Sequence, residues 1–177
     1  MTIPTAPLVS TVSDLIAAFL VERGCKHVFG VVGAGNMRVV DAVVRHGIEM
    51  VCTHSEQAAA QAAIGYYRAS GRIAPVLVTC GAGASNVVTG VVSAWMDSVP
   101  LFVIAGQESR RDDRLRAYGV QGFSLSAMTD DVSKISRMVT DAKVCKTALD
   151  YMWWKMSDGR PGPVVIEVPM DVQGHAL

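Results

Sequence analysis

Residues 75–105 read PVLVTCGAGASNVVTGVVSAWMDSVPLFVIA, and this run decides the fold. Pro75 to Thr79 is a short apolar strand. Gly81-Ala82-Gly83 is a tight loop, and Ser85 can cap a helix from Asn86 to about Met96. Leu101 to Ala105 is a second strand, apolar throughout. Strands without polar alternation are buried on both faces, so these two belong in a parallel sheet covered by helices on either side.

The alternation continues outward. Toward the N-terminus, residues 11–23 form an amphipathic helix that Ser10 or Thr11 can cap and Gly24 can end. His27 to Val32 is a strand running into Gly33-Ala34-Gly35. A helix from Met37 to Arg45 is closed by Gly47, and Ile48 to Thr53 is the next strand. Glu56 to Ser70 is an Ala-rich helix ended by Gly71. Toward the C-terminus, residues 107–124 are polar and densely charged between Glu108 and Arg116, and they read as a long loop, of a length that is usually functional or mobile. A short helix over 126–131, a strand over 136–139, a helix over 141–156 and a strand over 163–168 follow. Asp158-Gly159-Arg160-Pro161-Gly162-Pro163 is a turn. The expected fold class is α/β: a three-layer, doubly wound parallel sheet of about six strands with helices on both faces. It forms one domain over 11–173, with tails at 1–10 and 174–177.

A chain of 177 residues fits one domain with a full core. Half its residues are hydrophobic and only 6% are aromatic, which suits buried α/β elements. Lys plus Arg balances Asp plus Glu at 16 each. That balance argues against nucleic acid or an anionic membrane as the main partner. A neutral, apolar domain often hides surface in an oligomer. Cys25, Cys52, Cys80 and Cys145 form no C-x-x-C pair and read as reduced thiols in or near the core. Met1 to Val9 lacks a basic n-region, and no apolar run is long enough to span a membrane. A cytoplasmic protein is expected.

In open α/β sheets ligands sit beyond the carboxyl ends of the strands. Gly33 and Gly35, His54-Ser55-Glu56 and Gly81-Ala82-Gly83 all fall there. Glycines at such turns are often only steric. The run from Gly81 lacks the third glycine of a dinucleotide fingerprint, because position 86 is Asn. Glu56 opens a helix, where a carboxylate can simply complement the helix dipole. Its neighbours Ala58 to Ala63 are small and apolar, however, and a poorly solvated carboxylate is suited to proton exchange near neutral pH.

The stretch Glu-x4-Gln-Ala-x-x-Gly65-Tyr66 resembles the glutamate helix of the pyrimidine-binding domain in thiamine-diphosphate enzymes of the acetolactate synthase and benzoylformate decarboxylase type. It continues with Arg68-Ala69-Ser70-Gly71, similar to that family's "Y-A-R-A-T-G". The resemblance holds in order along the chain. Phe29-Gly30 through Gly35 resembles "F-G-x-P-G-G". Val78 to Asn86 resembles "V-T-S-G-P-G-A-T-N". Thr89-Gly90 through Ala94-Trp95-Met96-Asp97-Ser98-Val99-Pro100 resembles "T-G-…-A-Y-M-D-S-I-P". Ile104-Ala105-Gly106-Gln107 resembles "I-T-G-Q", and Gly159 to Val164 resembles "G-R-P-G-P-V".

That resemblance implies a cofactor, thiamine diphosphate, and a role for Glu56. In the family a glutamate hydrogen-bonds N1′ of the aminopyrimidine and so helps the cofactor lose its C2 proton. It further implies that Gly33, Cys80, Gly81, Ala82 and Asn86 line the pyrimidine pocket, and that Gln121, in Gly119-Val120-Gln121, faces the substrate. Ala82 and Cys80 stand where the family has Pro and Ser. Val31-Val32 replaces Tyr-Pro, and Gly122 replaces an acidic residue, so the substrate side departs from the pattern.

The family binds diphosphate and magnesium through a second domain carrying Gly-Asp-Gly and Asn-Asn. This chain has no Gly-Asp-Gly, and its only asparagines are Asn36 and Asn86. The expectation is therefore a split enzyme: a partner chain brings Mg2+ and the diphosphate domain, and an α2β2 assembly forms through pyrimidine-domain pairing. The implied reaction is decarboxylation of a 2-keto acid, with carboligation of the acyl anion or release of an aldehyde as alternatives. A non-catalytic binding module of the same fold, a flavodoxin-like nucleotide binder, and a piece of a longer enzyme are the other readings.

Overall fold

The computed structural model describes residues 8–109 and 121–177. The elements in order are α1 (Val12–Glu22), β1 (His27–Gly30), α2 (Met37–Arg45), β2 (Glu49–Cys52), α3 (Glu56–Ser70), β3 (Val76–Val78), α4 (Gly81–Ser85), α5 (Val88–Asp97), β4 (Leu101–Gln107), α6 (Leu125–Thr129), β5 (Ile135–Met138), α7 (Cys145–Ser157), β6 (Pro163–Pro169) and α8 (Met170–Gln173). The six strands form one sheet in the order β2-β1-β3-β4-β6-β5, and every pair is parallel. The expected doubly wound α/β class is observed.

Strand pleating divides the core in two. From β4, Phe102 and Ile104 point into a cluster with α1, α2 and α7, where Phe19, Leu20, Val43, Leu149 and Met152 are fully buried. Leu101, Val103 and Ala105 point the other way, into a cluster built on the small side chains of α3 and α5: Ala59, Ala60, Ala63, Val91 and Ala94. The Ala-rich reading of α3 thus has a packing cause. Gly90 of α5 lies directly against Ala60, so these two helices touch with almost no side chain between them. Trp153 stands edge-on to Phe19 at 5.7 Å and closes the first cluster.

Several boundaries move. The first strand ends at Gly30 rather than Val32, because the chain leaves the sheet there. The Asn36 amide donates to the Val31 carbonyl at 3.0 Å, and its side-chain oxygen accepts from Gly33 N at 2.9 Å. Gly81-Ala82-Gly83 is not a loop but the first turn of α4. Only Gly81 needs left-handed backbone, at φ +67°. Ser85 ends that helix, its hydroxyl donating to the Ala82 carbonyl at 2.7 Å, so it does not cap the next one. The reading of residues 107–124 as a loop falls mostly outside the described residues; Gln107 itself completes β4. Residues 174–177, expected as a tail, return along the N-terminus: Ala176 bridges Thr11, and Leu177 N donates to the Ser10 carbonyl at 3.1 Å. Three of the cysteines are buried as expected, but Cys52, at the open end of β2, is exposed. Burial pushes the Cys25 and Cys145 thiols up to about 12. Among the described residues no helix is long and apolar enough to cross a membrane.

Thr11 caps α1, and Asp14 completes a capping box with it. The buried Asp14 carboxylate accepts from Ser10 Oγ, Thr11 N and Thr11 Oγ1 at 2.9, 3.0 and 2.9 Å, and from Arg45 at 2.7 Å. Burial alone would raise its pKa. The bonds from Arg45, Ser10 and Thr11 outweigh burial and hold the carboxyl well below its ordinary 3.8. A depressed carboxyl stabilises the fold fully above its unfolded value, and the gain fades as pH falls through the folded one. Asp14→Ala is expected to cost about 1–3 kcal/mol at neutral pH, through the lost capping-box bonds and the lost Arg45 bond, with Asp41 left as the remaining partner of Arg45. The gap between wild type and variant should narrow steadily below pH 3.8. Denaturant titrations from pH 7 to 2.5 measure both effects.

Candidate functional site

The strand order reverses between β1 and β3: the chain leaves β1 for β2 on one side, then crosses to β3 on the other. A crevice at the carboxyl ends of these strands is where such sheets bind ligands. Here two glycine-containing turns meet. Gly35 N donates to Thr79 Oγ1 at 3.2 Å, and a side chain at Gly33 would strike Thr79. A Cβ at Gly35 would come within 2.7 Å of Cys80 Sγ. The glycines after the first strand are therefore steric in a specific sense. They let one turn lie flat on the end of β3.

Glu56 enters this crevice from α3. Thr53 Oγ1 donates to the Ser55 carbonyl at 2.8 Å, which shapes the approach, and Ser55 caps the helix by accepting from Ala58 N at 3.2 Å. That leaves Glu56 as the first helical residue, 6% exposed. Asn86, between α4 and α5, donates its amide to Glu56 Oε2 at 3.1 Å. The other carboxylate oxygen faces Gly83, where a Cβ would lie 3.0 Å away, and it takes no hydrogen bond from the described residues. Glu56 and Asn86, thirty positions apart, are thus brought into direct contact.

The third corner is Gln121. Cys80 Sγ donates to Gln121 Oε1 at 3.3 Å, and Gly81 packs against the Gln121 backbone and Cβ. Burial pushes the Cys80 thiol up, so at neutral pH it is the donor in that bond. Gly119 and Val120 lie outside the described residues. Ala82 is exposed at the rim. The structure therefore brings together Gly33, Glu56, Cys80, Gly81, Asn86 and Gln121 around one crevice. Among the described residues no group of three or more His, Cys, Asp or Glu side chains could hold a metal ion.

Three supporting residues went unassigned from the sequence. Asn36, fully buried, ties the Gly33 turn as described above. Gln173 of α8 donates to the Gly35 carbonyl at 2.7 Å and to the Val168 carbonyl at 2.8 Å. Glu167 is a carboxylate in an otherwise apolar buried strand, which was the available signal. It accepts from Leu125 N and Ser126 N at 2.9 Å each, and from Gln107 at 3.1 Å. Gln107 also donates to the Phe123 carbonyl at 2.6 Å. This network anchors the segment that carries Gln121 over the crevice.

Fold and site together define a doubly wound α/β domain arranged around a switch-point crevice. Residues 10–134 match the thiamine pyrophosphate enzyme family, N-terminal TPP binding domain. The chain belongs to that family. It is similar to the acetolactate synthase isozyme 3 large subunit of Escherichia coli, 35% identical over 93% of this chain and 28% of that protein. It is also similar to the acetolactate synthase large subunit of Buchnera aphidicola from Acyrthosiphon pisum, 34% identical over 90% of the chain and 28% of the relative. The chloroplastic acetolactate synthase of Arabidopsis thaliana is 33% identical over 91% and 24%. The chain spans roughly a quarter of the length of these relatives.

Proposed function

We propose that this chain is the pyrimidine-binding component of a two-chain thiamine-diphosphate enzyme. The enzyme decarboxylates a 2-keto acid and transfers the acyl anion to a second carbonyl. The observation that carries this reading is Glu56: a buried carboxylate, fixed by Asn86 on one oxygen and taking no hydrogen bond from the described residues on the other, at the crevice of a domain from this family. The donor set suits an aminopyrimidine. Its N1′ needs an acidic partner, which Glu56 provides, and the close seating of Gly33 on Thr79, of Gly81 on Gln121 and of Gly83 on Glu56 fixes the walls around that carboxylate.

When bound, thiamine diphosphate supplies the carbon nucleophile and electron sink that loss of CO2 requires. Glu56 would hold and share the proton at N1′. Asn86 orients the carboxylate so that one oxygen stays available. Cys80 and Gly81 would support the ring from the end of β3, and Gln121 would meet the substrate. Mg2+ and the diphosphate would be held by the partner chain, which carries the Gly-Asp-Gly and Asn-Asn sequences absent here. Similarity to acetolactate synthase large subunits favours carboligation over aldehyde release.

The reading is tested by mixing this chain with a candidate partner bearing those two motifs. Thiamine diphosphate binding by calorimetry and 2-keto acid consumption should appear only in the mixture. A 2-hydroxy-ketone product supports carboligation, and an aldehyde assigns simple decarboxylation instead. Cofactor binding without turnover under any partner would leave a binding module and sink the enzymatic reading.

A further inference from the structure

The opposite edge of the sheet, at the amino ends of β5 and β6, carries a separate pocket of about 360 Å3. That size falls within the range of small-molecule sites, roughly 300–1,000 Å3. Its wall combines Trp95, Ser133, Lys134, Lys155, Asp158 and Arg160. Three cations therefore face one carboxylate. Lys155 Nζ pairs with Asp158 Oδ2 at 2.9 Å, and Lys134 donates to the Asp158 carbonyl. Arg160 bonds Ser98 Oγ at 2.7 Å and the Met96 carbonyl at 3.2 Å, both uncharged, and it pairs with no carboxylate among the described residues. Burial, and then the like charge of Lys155, hold the Lys134 ammonium below the usual lysine range, against the opposing charge of Asp158.

Ser133 provides a second, independent observation. It is 7% exposed, and its hydroxyl has no hydrogen-bond partner among the described residues. Buried polar groups are ordinarily satisfied, and one left bare costs free energy that an acceptor from outside would recover. Capping of α7 accounts for the two lysines, and Arg160 closes the C-terminal end of α5, but neither accounts for the bare hydroxyl. A ligand that meets all of these needs carries at least two negative charges and several acceptor oxygens in a small volume. Carboxylates offer one charge on two oxygens, whereas phosphate offers nearly two on three or four. Beside the charges, the half-exposed Trp95 offers an apolar wall.

We infer that this pocket binds a phosphate dianion, free or as a phosphomonoester, through Ser133, Lys134, Lys155 and Arg160. The site is remote from the Glu56 crevice and does not depend on the cofactor reading. The full chain is titrated with inorganic phosphate, adenosine 5′-monophosphate and adenosine, followed by calorimetry and by tryptophan fluorescence. Both phosphate compounds should bind and adenosine should not. Tighter binding of the nucleotide assigns a phosphomonoester, and equal binding assigns inorganic phosphate. Lys155→Gln and Ser133→Ala should each weaken binding about tenfold, the scale of one charge-assisted hydrogen bond. Ser133→Ala removes a bare buried hydroxyl, so its melting temperature should equal or exceed that of wild type, which separates lost binding from lost folding. No saturable phosphate binding, adenosine binding as well as its monophosphate, or unchanged affinity in both variants would each overturn the inference.

Discussion

Glu56→Gln is expected to slow C2 proton exchange of thiamine diphosphate by about 10²–10⁴-fold in the proposed two-chain enzyme, the usual contribution of a positioned proton-transfer group. The substitution changes almost nothing else. Gln is isosteric, and its side-chain oxygen can still accept from the Asn86 amide, now at 3.1 Å from Oε2. The helix start keeps its Ser55 cap. The loss of a first-turn carboxylate costs only about 0.3–1 kcal/mol through the helix dipole. Stability and exchange are thus separable: a small change in melting temperature should accompany a large loss of exchange. Exchange measured by NMR at near wild-type rate would remove Glu56 from the mechanism. Asn86→Ala should have a milder effect on the same measurement, because it frees the carboxylate to rotate without removing it.

The largest effect on stability is expected from Gly106→Ala. Gly106 lies near the carboxyl end of β4, a central strand of the sheet, directly beneath the Gly33–Asn36 turn. A Cβ there would run into the Gly35 carbonyl and come within 3.0 Å of Asn36 N. Both are backbone, and Gln173 and Asn36 hold that turn from the other sides. Neither β4 nor the turn can yield cheaply. Overpacking of a core typically costs 1–3 kcal/mol, and here about 3 kcal/mol or more is expected, a fall in melting temperature of roughly 6–12 °C. A control of opposite sign lies at Gly65, on the exposed side of α3, where a Cβ meets nothing within 4 Å. Gly65→Ala should stabilise by about 0.5–1 kcal/mol through helix propensity. If both substitutions proved neutral in thermal and denaturant unfolding, the close packing of the turn on β4 would be wrong.

The two predictions draw on different layers of information. Glu56 was legible because it opens a helix beside a run of alanines, and the matched motifs around it implied its role. Gly106 was visible only as one letter of a matched motif. Nothing in its own neighbours says that a turn seventy positions earlier rests on it. Glu167 falls between the two. A charged residue inside a buried strand announces that partners must exist, yet Leu125 N, Ser126 N and Gln107 could not be named from the chain.

The sequence by itself determined the class of fold, the order of its elements and the placement of the glycine turns at the carboxyl ends of strands. Those are consequences of local propensity and of apolar periodicity, which act over a few residues. Tertiary structure alone decided the strand order, and with it the crevice between β1 and β3. It decided which oxygen of Glu56 is held by Asn86 and which is left open, that α4 begins where a loop was expected, and that Gln173 returns from the far end to clamp Gly35. These contacts join residues thirty to almost one hundred and forty positions apart. They depend on how two packed layers settle against one sheet, which is set by close packing of the whole core rather than by any segment of it.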